Sequence, residues 1–144
     1  MELEKNAPVK YESSIEIDAP IEKVWDVMTN VTLWPNWNND IKHAELIGGL
    51  KEGSIIKWQS GPGQITSKLL KVRTNTEIVW QGRMMGIYAI HMWKLEKIGN
   101  QTKVTTSESW SGFLPTLLKA MSRNMLQKAI NSGLYQLKTE CEKN

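Results

Sequence analysis

Polar and apolar positions alternate along the first three quarters of the chain and then recur every third or fourth residue. That change of period divides it into a β-rich part and a final helix. Val9, Tyr11, Ser13, Ile15 and Ile17 alternate with Lys10, Glu12, Ser14 and Glu16, the pattern of a half-buried strand. Asp18-Ala19-Pro20 stops it and starts a helix, with Asp18 or Ala19 at the cap and Pro20 in the first turn. Ile21, Val24, Trp25 and Met28 form that helix's apolar face. Residues 30–40, with Trp34 and Trp37 around Pro35, read as a short helical turn and a loop. Strands then follow at 42–47, 53–59, 64–73, 77–81, 86–96 and 102–110. Gly48-Gly49, Ser60-Gly61-Pro62-Gly63 and Thr74-Asn75-Thr76 supply turns between them.

The final helix runs over 114–141. Leu114, Leu117, Leu118, Met121, Met125, Leu126, Ala129, Ile130, Leu134 and Leu137 fall at helical spacing, and Pro115 sits in the first turn, where its missing N–H costs nothing. The apolar face drifts: Leu114, Leu118, Met121 and Met125 point one way, while Leu126, Ile130, Gly133 and Leu137 lie further round. A drifting stripe suits a helix laid across a twisted sheet. Strands joined by short turns make the sheet antiparallel, and a sheet with segregated helices is α+β.

The last hairpin can be set in register. Gly99-Asn100 suits a two-residue loop, because both tolerate positive φ. Glu96 then faces Lys103, Leu95 faces Val104, Trp93 faces Thr106 and His91 faces Glu108. Alternation puts Ala89, His91, Trp93 and Leu95 on one face with Val104, Thr106, Glu108 and Trp110. The core side of this hairpin therefore carries a His and a carboxylate among Trp residues. A carboxylate there is costly unless paired or near water. Two readings follow: a structural hydrogen bond in a packed core, or a pair pointing into a cavity that holds the polar part of a ligand. Trp58, Trp80, Met84, Met85, Trp110, Met121 and Met125 are candidates to line such a cavity, with ordinary core as the plainer role of each. On the opposite face Tyr88, Ile90 and Met92 are apolar, which fits a homodimer interface, a partner protein or a covering loop.

Composition narrows the function classes. The chain of 144 residues suits one domain, structured over about 9–142, and is 40% hydrophobic and 23% charged. Seven Trp and seven Met stand against one Phe, a choice that serves adaptable apolar pockets as well as cores. The net charge is +3 with both signs interspersed, so no nucleic-acid partner is expected. Cys141 is the single cysteine, which rules out an intramolecular disulfide and a Cys-rich zinc site. Two His residues give no convincing metal-ligand spacing, and no cofactor is expected. Gly61-Pro62-Gly63 is a turn with no phosphate-loop Lys after it, and there is no G-x-S-x-G nucleophile elbow. The first ten residues are too charged for a signal peptide and no apolar run is long enough to span a membrane, so a cytoplasmic protein without stable membrane insertion is expected.

Several of these residues together resemble a known superfamily. They are Ile15-Glu16-Ile17-Asp18-Ala19-Pro20 followed by Val24-Trp25, then Trp34-Pro35-Asn36-Trp37, Gly53, the strand Thr102-Lys103-Val104-Thr105, and Glu108 with Gly112 ahead of the final helix. The pattern is similar to that of the START-like (SRPBCC, helix-grip) superfamily, which includes birch-pollen allergen type proteins and the bacterial polyketide cyclase/dehydrase and lipid transport family. The resemblance implies a seven-stranded antiparallel sheet curved around the long C-terminal helix, two short helices after the first strand, and an apolar cavity between sheet and helix. It also implies a hydrophobic small-molecule ligand of lipid, polyketide or aromatic type. Trp58, Trp80, His91, Trp93, Glu108, Trp110, Met121 and Met125 are the expected binding residues, Leu118, Met121 and Met125 forming one cavity wall. The second half of the helix is expected to seal on the sheet, with a close backbone approach at Gly133. The alternative implied is a cyclase or dehydratase in which His91 and Glu108 act as acid and base.

Overall fold

The alternating runs become seven strands: β1 (Val9–Ile17), β2 (Ile41–Ile47), β3 (Ile55–Ser60), β4 (Gly63–Arg73), β5 (Glu77–Met84), β6 (Ile87–Ile98) and β7 (Gln101–Ser111). The structure, a computed structural model, describes residues 4–143; residues 1–3 and 144 of the expected domain lie outside the described residues. All pairings are antiparallel and the order across the sheet is β1-β7-β6-β5-β4-β3-β2. β2 to β7 are thus a meander, and β1 returns to pair with β7. Register shifts at Ile41/His43 and Leu69/Lys71 add local bends to the β2–β5 half. Between β1 and β2 come α1 (Ile21–Thr29), a 3-10 turn (Val31–Leu33) and α2 (Trp34–Trp37). After β7 come α3 (Phe113–Leu117) and α4 (Lys119–Cys141). This is the α+β helix-grip arrangement.

Pro20, rather than Asp18 or Ala19, takes the cap position of α1, in extended conformation and without a side-chain cap. The Asp18 N–H has another acceptor: it donates to Glu142 Oε2 at 2.8 Å. Lys138 Nζ donates to the same oxygen at 2.5 Å and to the Glu16 carbonyl at 2.8 Å, so the end of α4 is tied to the β1–α1 corner. These bonds, Lys138's first, hold the Glu142 carboxyl below the ordinary carboxylate range. Their stabilising effect is present above the unfolded-state pKa and is lost as pH falls through the lowered folded value.

The expected single helix over 114–141 is two helices. At Leu118 the backbone leaves helical values (φ −118°, ψ 55°). The two parts answer to different anchors. α3 is fixed to the rim of the sheet, where Leu114 N–H donates to the Gly86 carbonyl at 3.1 Å. α4 is fixed by Ser122, Leu126, Ile130, Gly133, Leu134, Leu137 and Cys141, all buried at spacings of three and four. It lies closest to β1, with β7, α1, α2 and α3 as further neighbours. Burying each of those Leu and Ile side chains contributes about 1.5–3 kcal/mol. Cys141 ends the stripe fully buried, and burial pushes its thiol up to about 12.

Two glycines test this geometry. Gly112 joins β7 to α3 at φ 108°, and a Cβ there would stand 2.6 Å from the Gly86 carbonyl oxygen. Gly112→Ala is therefore expected to lower the unfolding free energy by about 2 kcal/mol or more, read from a urea denaturation midpoint. Gly133 is the opposite case and corrects the expectation of close approach. A Cβ at Gly133 would meet nothing within 4 Å, although the residue is buried. Gly133→Ala should raise stability by about 0.5–1 kcal/mol in the same assay, since it removes backbone entropy from the unfolded chain.

Candidate functional site

The hairpin register read from Gly99-Asn100 is the observed one: Glu96 pairs with Lys103, Leu95 with Val104, Trp93 with Thr106 and His91 with Glu108. Because β1 pairs with β7 and β5 with β6, one row of inward side chains crosses five strands as Tyr11, Glu108, His91, Trp80 and Leu69. The next row on one side is Val9, Trp110, Ala89 and Gly82, and on the other Ser13, Thr106, Trp93 and Ile78.

The His–Glu pair is real and closely bonded. His91 Nδ1 lies 2.8 Å from Glu108 Oε1, and His91 Nε2 lies 2.7 Å from Thr106 Oγ1. The second carboxylate oxygen, Oε2, accepts a hydrogen bond from Trp110 Nε1. In the tautomer whose Nδ1–H donates to Glu108, Nε2 accepts from the Thr106 hydroxyl. Both imidazole nitrogens and both carboxylate oxygens are thus engaged within the protein.

Indole rings surround the pair. The His91 ring sits between Trp80 and Trp93, with centroids 5.0 and 5.1 Å away. Trp34 extends this wall, 5.7 Å from Trp80 and 5.7 Å from Trp58. Trp34 is held by its own Nε1–H donating to the Met28 carbonyl at 2.9 Å, and Trp58 by Ser67 Oγ at 3.1 Å. Trp80, Trp93 and Trp110 are buried, yet the side chains of His91 and Glu108 keep 12% and 14% of their accessible surface. Tyr11 and Ala89 beside them are also only half-buried. Further along the same face Val104, Thr106 and Leu95 are sealed. The concave face is closed at the end covered by the second half of α4 and reachable around His91 and Glu108.

Six of the eight expected residues come together here: Trp58, Trp80, His91, Trp93, Glu108 and Trp110. Met121 and Met125 do not join them. They are 54% and 52% exposed, with Leu118 also exposed, and form no wall of the interior. The buried stripe of α4 begins at Ser122, about 100° round the helix from Met121, so the drift in the pattern was two separate stripes. Three residues of the site make contacts that carry no local signal, although Thr106 lies on the face expected for it. Thr106 reaches His91 diagonally, Tyr11 belongs to a strand far away in sequence, and Trp34 lies in a segment readable only as turn and loop. Tyr11 links the site to α4, its hydroxyl accepting from Asn131 Nδ2 at 3.0 Å. On the opposite face Met92 is buried, while Tyr88 packs under the Arg83 guanidinium at 4.9 Å and donates to Gln81 Oε1 at 2.7 Å. Among the described residues no three His, Cys, Asp or Glu side chains gather as metal ligands, and no helix is long and apolar enough to cross a membrane.

Comparison with solved structures returns the same architecture. A START superfamily protein from Mycobacterium smegmatis is 14% identical and matches with TM-score 0.79, over 92% of this chain and 97% of that one. The Zhui aromatase/cyclase from Streptomyces sp. R1128 is 12% identical with TM-score 0.83, over 92% and 93% of the two chains. The protein TTHA0849 from Thermus thermophilus is 13% identical with TM-score 0.78, over 90% and 94%. At such identities the likeness is one of fold. No curated protein matches the sequence. The family described as polyketide cyclase/dehydrase and lipid transport matches residues 8–142, nearly the whole chain. The chain belongs to that family.

Proposed function

We propose that the protein binds a hydrophobic small molecule of lipid, polyketide or aromatic type on the concave face of the sheet. Trp58, Trp80, Trp93 and Trp110 would supply apolar surface, and His91 with Glu108 would orient a polar group. The observation that carries this reading is a hydrogen-bonded polar pair enclosed by indoles but still reached by solvent. A sealed core has no use for that access, whereas a guest with one polar end does. The buried Trp93 Nε1–H adds to it: among the described residues it has no acceptor, and a carbonyl or hydroxyl oxygen on the guest would provide one.

The alternative is acid/base catalysis of a cyclase or dehydratase kind by His91 and Glu108. Its support is a solvent-reached His–carboxylate pair with the 2.8 Å spacing of a working dyad. Against it, His91 Nε2 is already bonded to Thr106, so a substrate proton reaches a nitrogen only after that hydroxyl turns away. Binding is the reading the bonding pattern favours.

Trp fluorescence tests it. Titration with long-chain fatty acids and polycyclic phenols should quench the intrinsic emission saturably, and Trp80→Phe should remove a large share of the change. An unresponsive spectrum across such a panel would count against binding on this face.

A further inference from the structure

Around His91 the concave face carries one acidic side chain and no basic one. In the rows that run from Val9 to Gly82, from Tyr11 to Leu69 and from Ser13 to Ile78, Glu108 is the single acid and neither Lys nor Arg occurs. The buried stripe of α4 above them holds no Lys, Arg, Asp or Glu either. Lys138 is committed at the closed end, to Glu142 and to the Glu16 carbonyl. Lys119 and Arg123 share the stripe's side of α4 but are exposed. Arg123 comes eight residues before Asn131, the partner of Tyr11 in the Glu108 row, which is about 12 Å of helix.

The bonds of the pair bound its charge. Trp110 Nε1–H can only donate, so Glu108 Oε2 is an acceptor. One proton lies between Oε1 and His91 Nδ1, and the Thr106 hydroxyl can either donate to Nε2 or accept from it. The pair therefore carries a single negative charge when Nε2 is bare and none when Nε2 is protonated. In neither state is it a cation. A carboxylate, phosphate or sulfate buried beside it would lose its water with no opposite charge to offset the loss. A hydroxyl fares differently. Each Glu108 oxygen has accepted one N–H, and a carboxylate has room for about four donors. An O–H aimed at a free lone pair replaces the solvent that reaches Glu108, whereas an ether oxygen displaces that solvent and has no proton to give. We propose that the concave face selects neutral alcohols and phenols over anions of the same skeleton, with Glu108 accepting the guest's O–H. This selection rests on the binding reading above and adds the class of guest that is held most tightly.

Isothermal titration of the full chain at about pH 7.5 tests it with matched probes: 2-naphthol, 2-methoxynaphthalene and 2-naphthoate, and in parallel decan-1-ol and decanoate. A phenol keeps its proton at that pH and the two acids do not. Each hydroxyl compound should bind about tenfold or more tightly than the carboxylate of its skeleton, with the methyl ether between them. In Glu108→Gln, checked for folding by circular dichroism, the amide has no charge. Naphthol should lose a few-fold, naphthoate should gain, and the ratio between them should shrink about tenfold. Equal binding of hydroxyl and carboxylate, or a preference for the carboxylate, overturns the selection and leaves binding on this face standing. A methyl ether that binds wild type as tightly as naphthol overturns it without recourse to any variant. So does a ratio unchanged in the folded Glu108→Gln protein. Silence from all five compounds overturns the binding reading itself, and the selection with it.

Discussion

Glu108→Ala is expected to weaken ligand binding on the concave face at least tenfold and to lower stability by about 2 kcal/mol. Both effects have one origin. The carboxylate accepts from His91 on Oε1 and from Trp110 on Oε2, and alanine leaves the two donors without a partner. In a sealed core the loss would be larger. Here the 14% of the Glu108 side chain that solvent reaches lets water take over part of it. Glu108→Gln separates the two functional readings. Its amide oxygen accepts one of the two N–H bonds and its NH₂ cannot accept the other, so stability falls by only about 1 kcal/mol. Binding should survive with a few-fold loss. Catalysis that used the carboxylate as a base or charge partner would fall about 10²–10⁴-fold. Turnover of any ligand that persists unaltered in the Gln variant would remove the acid/base reading.

The second large effect is expected in α4. Leu137 is fully buried, on the face turned to the sheet, so Leu137→Ala should cost about 2–5 kcal/mol in a urea denaturation experiment. Met125→Ala, with half its surface exposed on the other stripe, should cost no more than about 0.5 kcal/mol. The contrast tests which stripe the helix buries, because the two positions carry similar side-chain volumes. Equal losses at both would mean that the first half of α4 packs inward after all.

These two experiments mark what the sequence could and could not convey. The period of two placed β1 and the hairpin of β6 and β7, and Gly99-Asn100 set the hairpin's register, because turn chemistry and opposed charges act over a few residues. Once register is known, the meeting of His91 and Glu108 follows, and with it the indoles on either side. The helical pattern was less informative. A stripe of Leu and Met spaced at three and four looks the same whether it packs on a sheet or faces solvent, so Met121 and Met125 read as interior. The break at Leu118 had no Gly or Pro at that position to signal it. It arises from tertiary anchoring, with α3 held at Gly86 and α4 held by Leu126 to Cys141. Gly133 misled for a related reason: a buried glycine suggests close approach, but here the space beside it is open. The contacts of Tyr11 and Thr106 were beyond reach, because the first pairs with a strand at the other end of the chain and the second bonds diagonally across the ladder.

Those interior contacts give the family membership a physical meaning in this chain. Glu108 and Gly112, four residues apart, do different work. Glu108 holds His91 and Trp110 on the concave face, while Gly112 lets β7 turn into α3 against the Gly86 carbonyl. The sheet end beyond Thr106 is ordinary sealed core. The end around His91 is the one that solvent reaches, and it is there that the proposed guest would rest.

The most direct test of that claim is to denature the freshly purified protein and examine the organic extract by mass spectrometry. A hydrophobic small molecule carrying at least one oxygen acceptor is expected, released in near-stoichiometric amount from the wild type and much reduced from Glu108→Ala. Repeatedly empty extracts, together with Trp emission that no apolar ligand quenches, would contradict it.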